Sequence, residues 1–348
     1  MTKLVISYVM LSYQHADYVD EAIGSAFSQD LEPDEYIISD DSSSDGTFAA
    51  LSAAVTKYSR PGQSIKLLRT PHNLGLCGNL HFAMGHVRGD VIVFHSADDV
   101  ARAERVRKVA EAFSENQDAM MVMSNARVIG AGGDLLRERY APLGTRYSAD
   151  PIQLAQGGFP WLVGATEAIR REVYFEFGPI SRPGSFEDFI FAFRAALLGR
   201  LFFIDAVLLD WRHHGANMSH FTDFESDGAL EAFRLHFLKT LKAKETCIRQ
   251  HLIDLETFRK NAGMSGLFAL KQLLMSQLAE KRMELSARSG MPWSNFWARF
   301  ASAKKAGLPM NWLIRQLLIR LCTDQYFRLV FARLRRAFSK LKNNSIPS

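Results

Sequence analysis

Cysteine is nearly absent. Cys77, Cys247 and Cys322 are odd in number, widely spaced and never arranged as C-x-x-C. Neither a disulfide framework nor a structural zinc site can organise this chain. No apolar run reaches the ~18 residues that a spanning helix needs. The opening Met-Thr-Lys-Leu-Val-Ile-Ser-Tyr enters a strand-like segment without the layout of a secretory leader. The expected compartment is therefore the cytoplasm. Glycine (23) and proline (11) are too few for a collagen-like or disordered chain. Three motifs are missing too: the G-x-G-x-x-G of dinucleotide-binding domains, the G-x-x-x-x-G-K-[ST] of P-loops and the G-x-S-x-G nucleophile elbow.

What is present is a globular composition. Of 348 residues, 47% are apolar and 23% charged. The formal charge of +5 is unevenly placed. Residues 1–220 hold 20 basic and 27 acidic side chains, whereas residues 221–348 hold 22 and 10. An acidic front is joined to a basic rear.

Leu4–Leu11 is apolar and β-rich, as a strand buried in a parallel sheet would be. Val19, Ala22, Ile23, Ala26 and Phe27 then recur at helical spacing. The pattern predicts further strands at Tyr36–Ser39, Ile65–Arg69, Val91–His95, Met120–Val128 and Phe202–Trp211. It predicts helices at Phe48–Tyr58, Asn79–Val87, Ala101–Phe113, Glu167–Phe177 and Phe186–Leu198. Residues 130–160 read as loop, and beyond about residue 224 the pattern is helical alone. This alternation predicts an α/β fold with a mostly parallel sheet flanked by helices. Ligands in such sheets sit beyond the carboxyl ends of the strands.

Four polar clusters fall near predicted element ends. In His95-Ser96-Ala97-Asp98-Asp99, adjacent carboxylates suit a hard cation. Equally, Asp99 could cap a helix starting near Ala101. Asp40-Asp41-Ser42-Ser43-Ser44-Asp45-Gly46-Thr47 offers hydrogen-bonding groups for a nucleobase or ribose, or simply turn and capping chemistry. Glu187-Asp188 opens a helix, where the dipole favours carboxylates. A general base is the other reading, because removing a hydroxyl proton needs a positioned carboxylate or imidazole. Trp211-Arg212-His213-His214 could meet a diphosphate or a metal, or be an exposed polar loop.

Taken in order, these segments resemble the family 2 glycosyltransferases, which have a GT-A fold. Ser12-Tyr13-Gln14 is similar to the family's T/S-Y-N, and Asp40–Thr47 to its D-D-G-S-T-D-G-T. Asn73-Leu74-Gly75 resembles its N-x-G, with Asn79 on the helix that follows. Ser96-Ala97-Asp98-Asp99 resembles D-A-D-D, with Ser96 in place of the first aspartate. Gly164-Ala165-Thr166, Arg170-Arg171 and Phe177-Gly178 look like the acceptor-side segment. Glu187-Asp188 resembles the E-D motif, and Arg194 its downstream arginine. Arg212, His214, Asn217 and Ser219 fit Y-R-x-H-x-x-N-x-S, with Trp211 for tyrosine.

The resemblance implies a catalytic domain over residues 1–222 and an α-helical region over 223–348. It implies that Ser12, Tyr13, Asp40, Asp41, Asn73, Gly75, Asn79, Ser96, Ala97, Asp98, Arg212 and His214 contact a nucleotide-sugar donor, UDP-linked by preference. It makes Asp98, supported by Asp99, the holder of a divalent cation, Mn²⁺ or Mg²⁺. Asp188 becomes the catalytic base, with Glu187 beside it. The implied reaction transfers a sugar with inversion to a glycan or lipid-linked acceptor in surface polysaccharide assembly. The alternative is a non-catalytic nucleotide-sugar-binding or scaffold protein.

The basic rear resembles nothing nameable. Met310, Leu313, Ile314, Leu317, Leu318 and Leu321 fall on one predicted helix face, and Phe327, Val330, Phe331, Leu334, Phe338 and Leu341 on a second. Residues 301–348 carry ten basic side chains and one acidic, Asp324. A basic amphipathic helix suits the cytoplasmic face of an anionic membrane. A bundle with a solvated basic face accounts for the same pattern, and a homo-oligomer stays open. No nucleic-acid-binding motif accompanies the charge, so nucleic acid is not an expected partner.

Overall fold

Six of the seven residues of β1 (Ile6–Ser12) are buried, because strands flank it on both sides. The structure is a computed structural model that describes residues 3–145, 151–152, 163–214, 228–262, 267–323, 325–330, 332–333 and 336. After β1, α1 (Val19–Phe27) buries the face that its spacing predicts, with Asp20 and Glu21 in the first turn to suit the dipole. Strands β2 (Glu35–Asp40), β3 (Ile65–Arg69) and β4 (Val91–Ser96) join β1 in parallel, in the order β3-β2-β1-β4. Helices α2 (Thr47–Tyr58) and α3 (Gly75–Met84) make the crossovers. Tyr8, Ile23, Tyr36, Val93 and Phe113 lie in the core beneath this half.

The sheet continues β4-β8-β6-β9-β5, with β7 on β6. These are β5 (Val100–Ala101), β6 (Ala119–Gly130), β7 (Leu135–Arg137), β8 (Ala168–Arg170) and β9 (Arg200–His213). Between them run α4 (Arg105–Glu115), α5 (Glu172–Phe175) and α6 (Glu187–Leu198). Strand β8 is antiparallel to both β4 and β6, while β9 is parallel to β6. The sheet is thus mixed, with its all-parallel part on the β1 side.

Three predicted helices start differently, α3 among them, which begins at Gly75 instead of Asn79. Residues 168–170 form β8, although Ala-Ile-Arg-Arg-Glu favours helix locally. Ala168 and Ile169 are fully buried between β4 and β6, and that pairing overrides propensity. Val100 and Ala101 pair with Asp210 and Leu209 of β9, so α4 begins only at Arg105. Asp99 therefore caps no helix.

The chain forms two compact units, one around the sheet and one holding most of the C-terminal helices. The latter comprise α7 (Ala229–Ala262), α8 (Phe268–Arg288), α9 (Trp293–Lys305) and α10 (Met310–Leu321). From Ile253 onward, α7 groups with the sheet unit. There Asp254 takes two bonds from Arg194, at 2.9 and 3.0 Å, and both side chains are fully buried. The expected boundary at residue 222 lies outside the described residues. Among those residues, no helix is long and apolar enough to cross a membrane.

Candidate active site

Parallel register sets the carboxyl ends of β1, β2 and β4 side by side: Ser12 pairs with Asp40, and Leu11 with Ser96. The loops after β1 and β2 are laced together. The Gln14 N–H donates to Ser43 Oγ (2.9 Å), the His15 N–H to Thr47 Oγ1 (2.9 Å) and the Ala16 N–H to Asp45 Oδ2 (3.1 Å). Gln14 and Ser42 sit at φ 60° and 57°, the left-handed region that non-glycine residues avoid. Such strain persists only where surrounding bonds over-determine it.

The donor-side residues divide by what they touch. Asp40 is fully buried and accepts from the Ser43 N–H (3.1 Å) and hydroxyl (2.5 Å), with Arg69 Nε at 3.6 Å. Asp41 Oδ1 accepts from the Leu74 N–H (2.8 Å) and Thr70 Oγ (3.0 Å). Asn73 Oδ1 accepts from the Gly75 N–H, and Asn79 locks onto Ser39 of β2. Ser12 Oγ is buried with no hydrogen-bond partner in the protein, and the neighbouring Tyr13 ring is exposed.

Beyond β4, the Ala97 N–H donates to the Leu11 carbonyl (3.0 Å), tying the 96–99 turn to β1. Ser96 Oγ donates to Asp98 Oδ1, and the other oxygen of Asp98 lies 3.6 Å from His15 Nε2. His214, bonded directly to the last residue of β9, offers a further ligand atom, and those of His15, Asp98 and His214 lie within 4.8 Å of one another. Two imidazoles and a carboxylate make a donor set that fits a divalent transition-metal cation.

Asp99 points elsewhere. Its Oδ1 accepts the Arg212 N–H at 2.8 Å, and burial together with the Asp98 charge pushes its carboxyl up. The Arg212 guanidinium is also used inside the protein. It donates to the carbonyls of Asp98 (2.9 Å) and Ala131 (3.0 Å), pairs with Glu21 and covers the Tyr18 ring. Arg212 thereby braces the 98–99 turn. His95 Nε2–H donates to the Asp99 carbonyl (3.1 Å), so its Nδ1 accepts from the Tyr8 hydroxyl (2.5 Å). Burial and the nearby Arg105 charge hold His95 neutral, its pKa pushed down to about 3.

A third cluster gathers at the start of α6. Glu187 and Asp188 occupy its first turn, and Glu167 precedes β8. Burial, reinforced by Asp188, pushes Glu187 up to about 8. Burial pushes Asp188 up to about 6 against the Phe189 N–H that it accepts at 2.7 Å. Glu167 is 1% exposed, and neither of its oxygens has a hydrogen-bond partner in the protein. Burial and then the Asp188 and Glu187 charges hold it well above the usual carboxylate range. Gly164 backs this cluster closely, since a Cβ there would lie 2.6 Å from Glu187 Oε1.

Residues 7–176 match the family model described as glycosyl transferase family 2. This segment is a family 2 glycosyltransferase domain. An uncharacterized glycosyltransferase of Nostoc sp. is 27% identical over 217 residues, covering 61% of this chain and 66% of that protein. The succinoglycan biosynthesis protein ExoO of Rhizobium meliloti is 30% identical over 132 residues, covering 38% of this chain and 36% of the relative. The chain thus spans two thirds or less of these curated relatives. Among solved structures, TarS 1-349 of S. aureus in complex with UDP-GlcNAc gives a TM-score of 0.51 at 16% identity, covering 93% of this chain and 91% of that one. The mannosyltransferase PcManGT of Pyrobaculum calidifontis, in complex with GDP-Man and Mn²⁺, gives 0.51 at 16%, covering 99% and 88%. The fold of the glycosyltransferase domain is theirs.

Two residues of this domain escaped the sequence reading. His15 follows the Ser12-Tyr13-Gln14 segment directly, but only register shows that it faces Asp98. Glu167 reads only as the first residue of a predicted helix, and no motif in the run Ala165-Thr-Glu-Ala-Ile marks it. Asn217 and Ser219 lie outside the described residues.

Proposed function

We propose that this chain is an inverting glycosyltransferase that moves a sugar from a nucleoside-diphosphate sugar to a hydroxyl of a glycan or lipid-linked acceptor. The observation that carries the proposal is the Glu187–Asp188 pair. Two neighbouring half-buried carboxylates cannot easily both ionise, and their environments set them apart at about 8 and about 6. Near neutral pH Asp188 is then charged and able to take a proton, while Glu187 stays neutral. In the reaction the acceptor oxygen attacks the anomeric carbon and its proton passes to Asp188. The bond to the diphosphate oxygen breaks, and the diphosphate leaves with the electron pair. A single displacement of this kind inverts the anomeric carbon.

On the donor side, Asp40 and Asp41 anchor the loops around the base and ribose, and Ser12 Oγ is buried with no hydrogen-bond partner in the protein. His15, Asp98 and His214 would hold a divalent cation, whose chemistry when bound is to neutralise the departing diphosphate. Imidazole ligands favour Mn²⁺ over Mg²⁺ in that place. Ser96, standing where the family pattern has aspartate, orients Asp98 through its hydroxyl.

The ExoO relative supports a role in polysaccharide assembly. A thermal-shift screen of nucleotide-sugars with and without Mn²⁺ tests this, because a true donor raises the melting temperature by mass action. One donor class with a Mn²⁺-dependent shift is expected. No shift with any donor would refute the reading. Ser96 is what favours the alternative of a binding protein without turnover, and slow donor hydrolysis excludes it.

A further inference from the structure

The C-terminal helices of the second unit carry charge in two different ways. Around α7 and α8 carboxylates are interspersed and pair several cations: Glu245 alone takes Lys242, Arg249 and Arg282, and Lys281 pairs with Glu280 and Glu284. After Glu284 the sequence holds twelve basic residues and one acid, Asp324. Neither α9 nor α10 contains a carboxylate. Lys304, Lys305, Arg315 and Arg328 are exposed and form no ion pair among the described residues.

The same helices expose apolar groups in a stripe. On α10, Leu313 and Ile319 are buried in a core with Met283, Phe296 and Ala303. Met310, Ile314, Leu318 and Leu321, at i, i+4, i+8 and i+11, are instead 45–62% exposed. An α-helix puts that spacing on one face. Burying Leu313 in the unit's own core leaves this second face uncovered. On α9, Trp293 and Trp297 are 42% and 48% exposed with stacked rings, and Arg320 of α10 lies over the Trp293 ring. The tryptophan pair therefore adjoins α10.

We propose that the α10 stripe, with Trp293 and Trp297 of α9, docks on an anionic lipid bilayer surface. Exposed aliphatic groups enter the acyl boundary, indole rings favour the headgroup level, and uncompensated cations meet anionic headgroups. A second protein copy would bring the same cations face to face, without a carboxylate on either helix to pair them. The surface lies in the helical unit and does not depend on the catalytic reading above.

The test is co-sedimentation of the full chain with phosphatidylglycerol-containing or pure phosphatidylcholine vesicles. Binding is expected to the anionic vesicles only, and to weaken as salt is raised. Ile314→Asp with Leu318→Asp changes exposed positions only, so the melting temperature should hold while vesicle binding drops by about tenfold or more. Donor hydrolysis in solution should stay unchanged in that variant, which separates this surface from the active site. Equal binding to both vesicle types, no binding to either, or full binding by the double variant would overturn the proposal. So would a dimer in light scattering that the double variant dissolves, because the stripe would then belong to a second copy.

Discussion

Two sets of carboxylates in the sheet unit are satisfied very differently. Asp40, Asp41 and Asp45 each accept from backbone N–H groups or hydroxyls. Burial works against the Asp45 charge, but Thr47 and the Ala16 N–H outweigh it and hold the carboxyl low. Buried Glu167 has no donor among the described residues, half-buried Glu187 and Asp188 take only backbone N–H groups of their own helical turn, and all three carboxyls are pushed up. Donors fix a charge in place and order a loop. Carboxylates short of donors titrate nearer neutral pH, where a general base can take up and release a proton. The first set shapes a binding edge, and the second is equipped to move a proton.

The sharpest way to break this contrast is Asp188→Asn. Transfer should fall by about 10²–10⁴-fold, the usual worth of a general base, with donor binding retained in the thermal-shift assay. A near-native rate would place the chemistry elsewhere. Next in size is Arg194→Ala, which strands a satisfied carboxylate. Asp254 would stay buried without its partner, so urea unfolding should show a loss of about 3–5 kcal/mol. Ser43→Ala takes one donor from buried Asp40 and should cost about 1–3 kcal/mol.

The smallest effect should have the opposite sign. Folded Glu167 holds its proton more tightly than the unfolded chain does, so its contribution is complete at low pH and declines as pH rises. Glu167→Gln cannot ionise and should flatten the fall in stability as pH rises above the ordinary carboxylate range. An unchanged pH dependence of unfolding would mean that Glu167 is not the proton-bearing group.

Much of this contrast was legible in the sequence. The five-residue buried face of α1, the strand at 65–69 and the acidic clusters at strand ends follow from local periodicity, which one β-α unit enforces by itself. The order of short motifs was legible too, since each belongs to one loop. What escaped depends on distant pairing. Strand β8 exists because β4 and β6 leave a gap that Ala168 and Ile169 fill, and nothing within residues 164–172 says so. Glu167 acquires its burial from that pairing, and His15 its neighbour Asp98 from the register of β1 on β4. The side chain of Arg212 looked like a diphosphate ligand because its four carbonyl and carboxylate partners come from residues 21, 98, 130 and 131.

The most direct measurement is the pH dependence of donor hydrolysis by the full chain, with Asp188→Asn as comparison. A labelled UDP-sugar that supports binding serves as donor, and water as acceptor. The rate should rise with pH through about 6 as Asp188 loses its proton, and this limb should vanish in the variant. A rate that stays level across that range, or a variant that follows the wild-type curve, would contradict the account.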